Sequence, residues 1–220
     1  MNKNYVITSW GILRRGSVIV NDKIEPVQEN NLNFADLIKS LFRKEQISYP
    51  KFFKMDNVSK LGFLCAELVL RDSRVAGRYS KEETGVVITN SASSLDTDHI
   101  YQETIRDKAN YFPSPSVFVY TLPNIVIGEI CIRHKLNGEN AFLISESFDP
   151  ALLKRQVDEL LDHDRAAACL CGWVEVLKDR FEALLFLVEH AERMESDSEG
   201  AQSRKEFTVE NLTEIYNKQG

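Results

Sequence analysis

The stretch LNGENAFLISESFDP, residues 136–150, decides the reading of this chain. It opens on a turn, runs apolar through Ala141, Phe142, Leu143 and Ile144, and stops at Ser145-Glu146-Ser147. A short continuous apolar run bounded by turn signals reads as a buried strand. Pro150 then opens PALLKRQVDELL, whose apolar spacing predicts an amphipathic helix. The segment is therefore strand, loop, helix, with small and acidic residues in the loop. Ser147 stands between the strand and the helix, where the positive helix end favours an anion or an oxyanion. The plainer expectation is that Ser147 and Asp149 cap the helix.

Outward from this segment the pattern continues. NYVITS at 4–9 reads as a first strand and VIVNDKI as the next extended piece. FADLIKSLFR at 34–43 has helical spacing. In KFFKMDNVSKLGFLCAELVLRDS, Met55, Val58, Leu61, Leu64, Cys65 and Leu68 recur at helical steps and make one wide apolar face. TGVVITNS at 84–91 is a β-branched strand, followed by a loop and a helix near Asp96. YFPSPS at 111–116 is a proline-shaped loop. IVIGEICIRHKL is a helix apolar on most sides, which Gly138 suits as the left-handed residue past its end. AAACLCGWVEVL and FEALLFLVEHA are strands joined by a charged turn at Lys178-Asp179-Arg180. Residues 193–205 are polar and read as mobile, and TVENLTEIYNK is a short helix capped by Thr208. Strands that are apolar throughout and alternate with helices indicate a sheet covered on both faces, an α/β fold with a mixed, mostly parallel sheet between helices.

The 220 residues are 43% hydrophobic and 27% charged, with a net charge of −6 and a pI of about 5.4. This argues against a broad nucleic-acid footprint, which needs a positive surface. Arg14-Arg15 and Arg133-His134-Lys135 read as solvated edges. Cys65, Cys131, Cys169 and Cys171 all lie in apolar runs, as buried thiols in a reducing compartment do. No metal site or cofactor is expected: Cys169-x-Cys171 lacks further ligands, and His163 lies in a charged turn. The N-terminus lacks a signal-peptide pattern, and no apolar run reaches the roughly 18–20 residues that span a bilayer. A cytoplasmic protein is the expectation.

Phosphate loops, Gly-x-Ser-x-Gly elbows and His-Glu-x-x-His patterns do not occur in the sequence. His99, His134, His163 and His190 are scattered through polar surroundings, and Asp96 and Asp98 read as a helix start.

The ordered blocks resemble a known family. YVITSWGILRRGS is similar to the opening strand and turn of β-ketoacyl-[acyl carrier protein] synthases, the thiolase-fold condensing enzymes of fatty-acid and polyketide synthesis. KMDNVSKLGFLCAELVL resembles their first long helix, and TGVVITNSASS the strand and loop after it. FPSPSVFVYTLPNIVIGEICIRHKLNGENAFLISESFD resembles the block leading to the nucleophile, with matches at Pro123-Asn124, Gly128, the Ile-x-x-x-Leu spacing and Gly138-x-Asn140. The likeness covers roughly residues 4–190 and implies the N-terminal half of a thiolase-like fold. We expect a synthase-like domain over 1–192, followed by a polar linker and short helix over 193–220.

Aligned from Gly138-x-Asn140, the family's acyl-accepting cysteine falls on Ser147. A serine hydroxyl needs a base, whereas a cysteine is already partly thiolate near neutral pH. The family's active-site histidines lie in a C-terminal half, and nothing here resembles a His-Gly-Thr-Gly-Thr segment. Two functions follow from the resemblance. One is a non-condensing subunit that binds an acyl chain or thioester, an acyl carrier protein or a full-length synthase. The alternative is an active 3-oxoacyl synthase component or acyltransferase using Ser147, with histidines supplied by a partner chain. The family dimerises through the strand beside the nucleophile, here 141–145, which implies a homodimer or a heterodimer on that edge. The apolar surface of a lone half is assigned to IVIGEICI and FEALLFLVEHA, with the segment 193–220 folding back over part of it.

Overall fold

The computed structural model describes residues 4–24, 33–71, 73, 75–194 and 204–218. One eight-stranded sheet is built from β1 (Tyr5–Arg14), β2 (Ser17–Val20), β3 (Lys23–Ile24), β4 (Thr84–Asn90), β5 (Asn140–Ile144), β6 (Ala168–Leu177), β7 (Arg180–His190) and β8 (Lys205–Glu206). Its order is β3-β2-β1-β7-β6-β4-β5, and β8 pairs with β1 beside the stretch that β2 leaves open. The helices are α1 (Phe34–Lys44), α2 (Asn57–Leu70), α3 (Val75–Arg78), α4 (Leu95–Ile105), α5 (Pro115–Phe118), α6 (Ile125–His134), α7 (Pro150–Asp162) and α8 (Val209–Tyr216). The chain is α/β, as its patterning predicts.

The balance within the sheet is not the expected one. β4 pairs in parallel with β5 and β6, but the pairings β1–β2, β2–β3, β6–β7, β1–β7 and β1–β8 are antiparallel. The reason is turn length. Two-residue connections at Arg15-Gly16, Asn21-Asp22 and Lys178-Asp179 can only return the chain beside itself. Asn21, Asp22 and Lys178 take positive φ to do so.

Strand alternation splits the apolar residues between two layers. Leu13, Val86, Ile88, Leu170, Val174, Leu185 and Leu187 face α1, α2 and α6. Trp10, Ile12, Val87, Cys171, Trp173, Leu184 and Phe186 face α7 and α8. Successive side chains point to opposite faces, so strands apolar at every position need both layers. The α2 N-terminus is capped by Asp56, which accepts from Ser59 N at 3.1 Å. Glu67 ties α2 to α6 through Arg133, which donates from Nε at 2.6 Å and from a terminal nitrogen at 3.1 Å.

α6 therefore lies in the first layer, packed on α2, and is not an uncovered face awaiting a partner. The C-terminal segment covers the second layer. Phe207, Leu212 and Ile215 are 3%, 0% and 0% exposed, and burial of each such side chain contributes roughly 1.5–3 kcal/mol. The polar stretch read as mobile lies mostly outside the described residues. Among the described residues no single helix is long and apolar enough to cross a membrane.

Two glycines are fixed by space. α6 ends with Lys135, at φ 57°, as its left-handed residue, so Gly138 does not close the helix. A Cβ at Gly138 would instead lie 2.3 Å from the Thr84 carbonyl oxygen, so glycine permits the approach of the chain to β4. Gly172, in β6, has φ 154°, and a Cβ there would lie 1.9 Å from the Leu184 carbonyl oxygen of β7. Gly172→Ala is predicted to destabilise the fold by about 3 kcal/mol or more, from strain plus a main-chain collision. Urea unfolding measures this, and a loss below about 1 kcal/mol, an ordinary mutational effect, contradicts the close packing of β6 on β7.

Candidate functional site

β1, β4, β5 and β6 point the same way and bring their carboxyl ends to one end of the sheet. In open α/β sheets this is where ligands bind. A cavity of about 680 Å³ lies there, lined in part by Arg14, Ser91, Ser147, Trp173, Glu175 and Tyr216. The sheet register sets its floor. Arg14 on β1 stands opposite Glu182 on β7, and Glu182 stands opposite Glu175 on β6.

Two like charges facing each other across strands are unfavourable unless each is neutralised. Here each carboxylate has its own partner. Arg14 Nε lies 2.7 Å from Glu182 Oε2. Glu175 Oε2 accepts from Ser91 N at 2.6 Å, Ser91 Oγ at 2.8 Å and Ala92 N at 3.2 Å. Glu175 thus holds the loop after β4 against the end of β6. Its second oxygen, Oε1, is buried without a partner among the described residues, and so is Trp173 Nε1.

Arg14 reaches beyond the sheet. Its guanidinium donates to the Tyr216 carbonyl at 2.7 Å and to the Lys218 carbonyl at 3.3 Å, and it sits 4.7 Å from the centre of the Tyr216 ring. Tyr216 Oη donates to Glu182 Oε1 at 3.0 Å. The Tyr216 ring also packs on Phe148, with centroids 4.7 Å apart, and Phe148 meets Trp173 edge-on at 6.4 Å. Arg14 is therefore a clasp for the C-terminal helix and not a solvated edge.

Ser147 is exposed and lines this cavity. It does not cap α7. Asp149 is the N-cap, and its Oδ1 accepts from Ala151 N and Leu152 N, each at 2.9 Å. The free amides of the helix start are thus already occupied by a carboxylate, which removes them as an oxyanion site for Ser147. Ser145 Oγ donates to the Ser147 carbonyl at 2.9 Å and shapes the loop.

Four carboxylates line the cavity, but among the described residues no histidine, cysteine or lysine does. His134 sits 3.2 Å from Glu67, His163 lies 3.5 Å from Glu159, and His190 packs edge-on against Tyr5; His99 is exposed. Cys65, Cys169 and Cys171 are buried, and all four cysteines are free. Burial pushes the Cys131 thiol up to about 11, and it raises Cys65 and Cys171 as well. Asp96 and Asp98 belong to the start of α4: Asp96 accepts from Asn57 and from Lys178 N, and Asp98 from Ser94. No group of three or more His, Cys, Asp or Glu side chains among the described residues is placed to hold a metal ion.

Compared by sequence, the chain matches no protein-family profile and no curated protein. Its structure does match solved ones. Against the ishigamide ketosynthase/chain length factor the TM-score is 0.65 at 19% identity, covering 86% of this chain and 63% of that one. The fold is the ketosynthase fold. A second match is AntDE:AntF, a type II polyketide synthase acyl-carrier protein in complex with its ketosynthase bound to the hexaketide. There the TM-score is 0.62 at 13% identity, over 90% of this chain and 65% of that one. A third is ketosynthase ApeO in complex with its chain length factor ApeC from Xenorhabdus doucetiae, at TM-score 0.57 and 14% identity, over 86% and 79%. The chain thus spans under two thirds of the length of the first two, and at these identities the likeness establishes the thiolase-like fold.

The Arg14 clasp can be tested. Arg14→Met removes an ion pair and two charged hydrogen bonds, each such bond contributing roughly 1.5–3 kcal/mol. Amides in 204–218 are predicted to exchange at least about tenfold faster, while those of β6 and β7 keep their protection. Unchanged exchange in the segment contradicts the clasp.

Proposed function

We propose that this chain is a ketosynthase-like, non-condensing subunit of polyketide or fatty-acid assembly, one that holds an acyl group, an acyl carrier protein or a synthase partner. The observation that carries the reading is Ser147, a serine in a ligand-sized cavity where, among the described residues, no histidine or lysine stands to activate it. A serine hydroxyl requires an adjacent base for nucleophilic attack, and the carboxylate of Glu175 is held through Oε2 by Ser91 and Ala92. The structural neighbours support a role in a pair: their descriptions name a ketosynthase with its chain length factor and a carrier protein with its ketosynthase.

The edge of the sheet supports the same reading. β5 ends the strand order, bonded to β4 on one side only. Phe142 packs toward one layer and Leu143 toward the other, while Ile144 is 53% exposed. An apolar edge strand is a template for another strand. Pairing it with its own symmetry mate gives an isologous homodimer, and pairing it with the matching strand of a synthase gives a heterodimer.

One observation favours a second reading, acyl transfer on Ser147 with histidines brought by a partner chain: the Ser147 side chain is exposed and is not spent as a helix cap. Incubation with acyl carrier protein thioesters followed by intact-mass measurement separates the two. The pure chain is predicted to bind without gaining mass. An acyl adduct on Ser147 in the isolated chain would falsify the non-condensing reading.

Assembly is checked by sedimentation. The wild type is predicted to sediment as a dimer at micromolar concentration, and Ile144→Lys as a folded monomer. A monomeric wild type in the absence of any synthase, with no association when one is added, removes the edge as an interface.

A further inference from the structure

Two residues that line the Ser147 cavity each carry a buried polar atom with no partner among the described residues. They are the indole Nε1–H of Trp173, a donor, and Oε1 of Glu175, an acceptor. Trp173 as a whole is 4% exposed. Both residues lie on β6, two positions apart, so they leave the same face of the sheet with their backbones roughly 7 Å apart. A buried donor or acceptor left unpaired is costly, and native proteins keep few of them. The surrounding frame does not account for these two. Glu175 spends only Oε2 on Ser91 and Ala92. Trp173 packs edge-on against Phe148, which has no hydrogen-bonding side chain.

The rest of the lining sets the body of a ligand. The volume of about 680 Å³ falls within the roughly 300–1,000 Å³ of ordinary ligand pockets. Phe148, Trp173, Phe181 and Tyr216 stand in the wall, and flat rings pack well against aromatic walls, stacked or edge-on. Three arginines face four carboxylates there, so no positive excess draws an anion. The unpaired oxygen of Glu175 repels an acid directly.

We infer that Trp173 and Glu175 are a donor–acceptor pair that selects a neutral aromatic carboxamide. The ligand carbonyl accepts from Trp173 Nε1–H, and the ligand N–H donates to Glu175 Oε1. A hydroxyl would have to serve both residues from one atom, whereas a carboxamide offers each its own. The two protein atoms are already shut off from water, so these bonds displace no solvent from the protein and keep their full strength. Side-chain rotation of the kind that commonly accompanies binding uncovers them as the ligand enters. The inference stands apart from the assembly role proposed above and does not depend on it.

The test is calorimetric titration of the full chain with 2-naphthamide, with 2-acetylnaphthalene, which has the same size and carbonyl but no N–H, and with 2-naphthoate. The wild type is expected to bind the amide at least about tenfold more tightly than the ketone, and the acid least. In Glu175→Gln, Ser91 and Ala92 keep the acceptor oxygen and the new NH₂ turns toward the ligand, so the preference is expected to fall below about twofold. Trp173→Phe is expected to weaken amide and ketone alike by about tenfold and to leave their ratio unchanged. Folding of both variants is checked by thermal melting. One readout needs no variant: the chain has two tryptophans, and one of their two indole N–H resonances is expected to move downfield when 2-naphthamide is added. Equal wild-type affinities for amide and ketone, or no binding of either, overturn the proposal. So do a ratio that survives in folded Glu175→Gln, undiminished binding by Trp173→Phe, or indole resonances that stay in place.

Discussion

The rest of the structure depends on the two-sided burial of three adjoining strands. In β7, Leu184, Phe186 and Val188 face one layer while Ala183, Leu185 and Leu187 face the other, and all six are essentially inaccessible to solvent. A sheet of that kind is stable only when both faces are covered, because each exposed side chain of this size forfeits roughly 1.5–3 kcal/mol. α1, α2 and α6 cover one face. α7 and α8 cover the other, so the C-terminal segment belongs to the core. Among the polar groups caught inside, Glu189, 1% exposed, takes Arg78 at 2.6 Å and a hydrogen bond from Thr8.

That arrangement also makes the cavity. Because α8 lies against the strands whose carboxyl ends converge, its last residues reach the site, and Arg14 at the end of β1 can hold them. The row Arg14, Glu182, Glu175, Ser91 runs across four neighbouring chain segments, with the two facing carboxylates flanked by a donor at each end. It orders the end of the sheet and the loop after β4. Ser147 is an exposed hydroxyl on the lining of that cavity, which the rings of Phe148, Trp173 and Tyr216 also line.

Much of this was legible from residue spacing, and the failures have physical causes. The helical period of Met55 through Leu68 and the β-branched run at 84–91 located α2 and β4, because local burial patterns fix local structure. Ser147 was locatable as a loop residue between strand and helix. That Asp149 alone takes the cap is decided by backbone angles, and both residue types are good caps. The excess of antiparallel pairings followed from turn lengths, visible in the sequence but outweighed there by apolar runs that suggest parallel strands. Gly138 carried the right residue for the wrong reason: its need comes from Thr84, far away in sequence. Arg14, Glu182 and Tyr216 could not be joined at all, since 34 and then 168 positions of chain separate Tyr216 from Glu182 and Glu182 from Arg14.

The position of β1 in the middle of the sheet has a consequence for how the chain reaches this structure. Its partner on one side is β7, with Trp10 opposite Phe186 and Ile12 opposite Leu184. Strand pairs so distant along the chain make the loop-closure entropy large before any contact rewards it, which slows folding. On a ribosome adding about 5–20 residues per second, β1 is made on the order of ten seconds or more before β7 exists. During that interval Leu13 has the β2 hairpin and then α2 to lean on, while Trp10 and Ile12, which face the α7–α8 layer, lack theirs. The apolar first strand is therefore the part of the nascent chain most exposed to wrong partners, and the polar hairpin turns beside it, Arg15-Gly16 and Asn21-Asp22, are its nearest local protection.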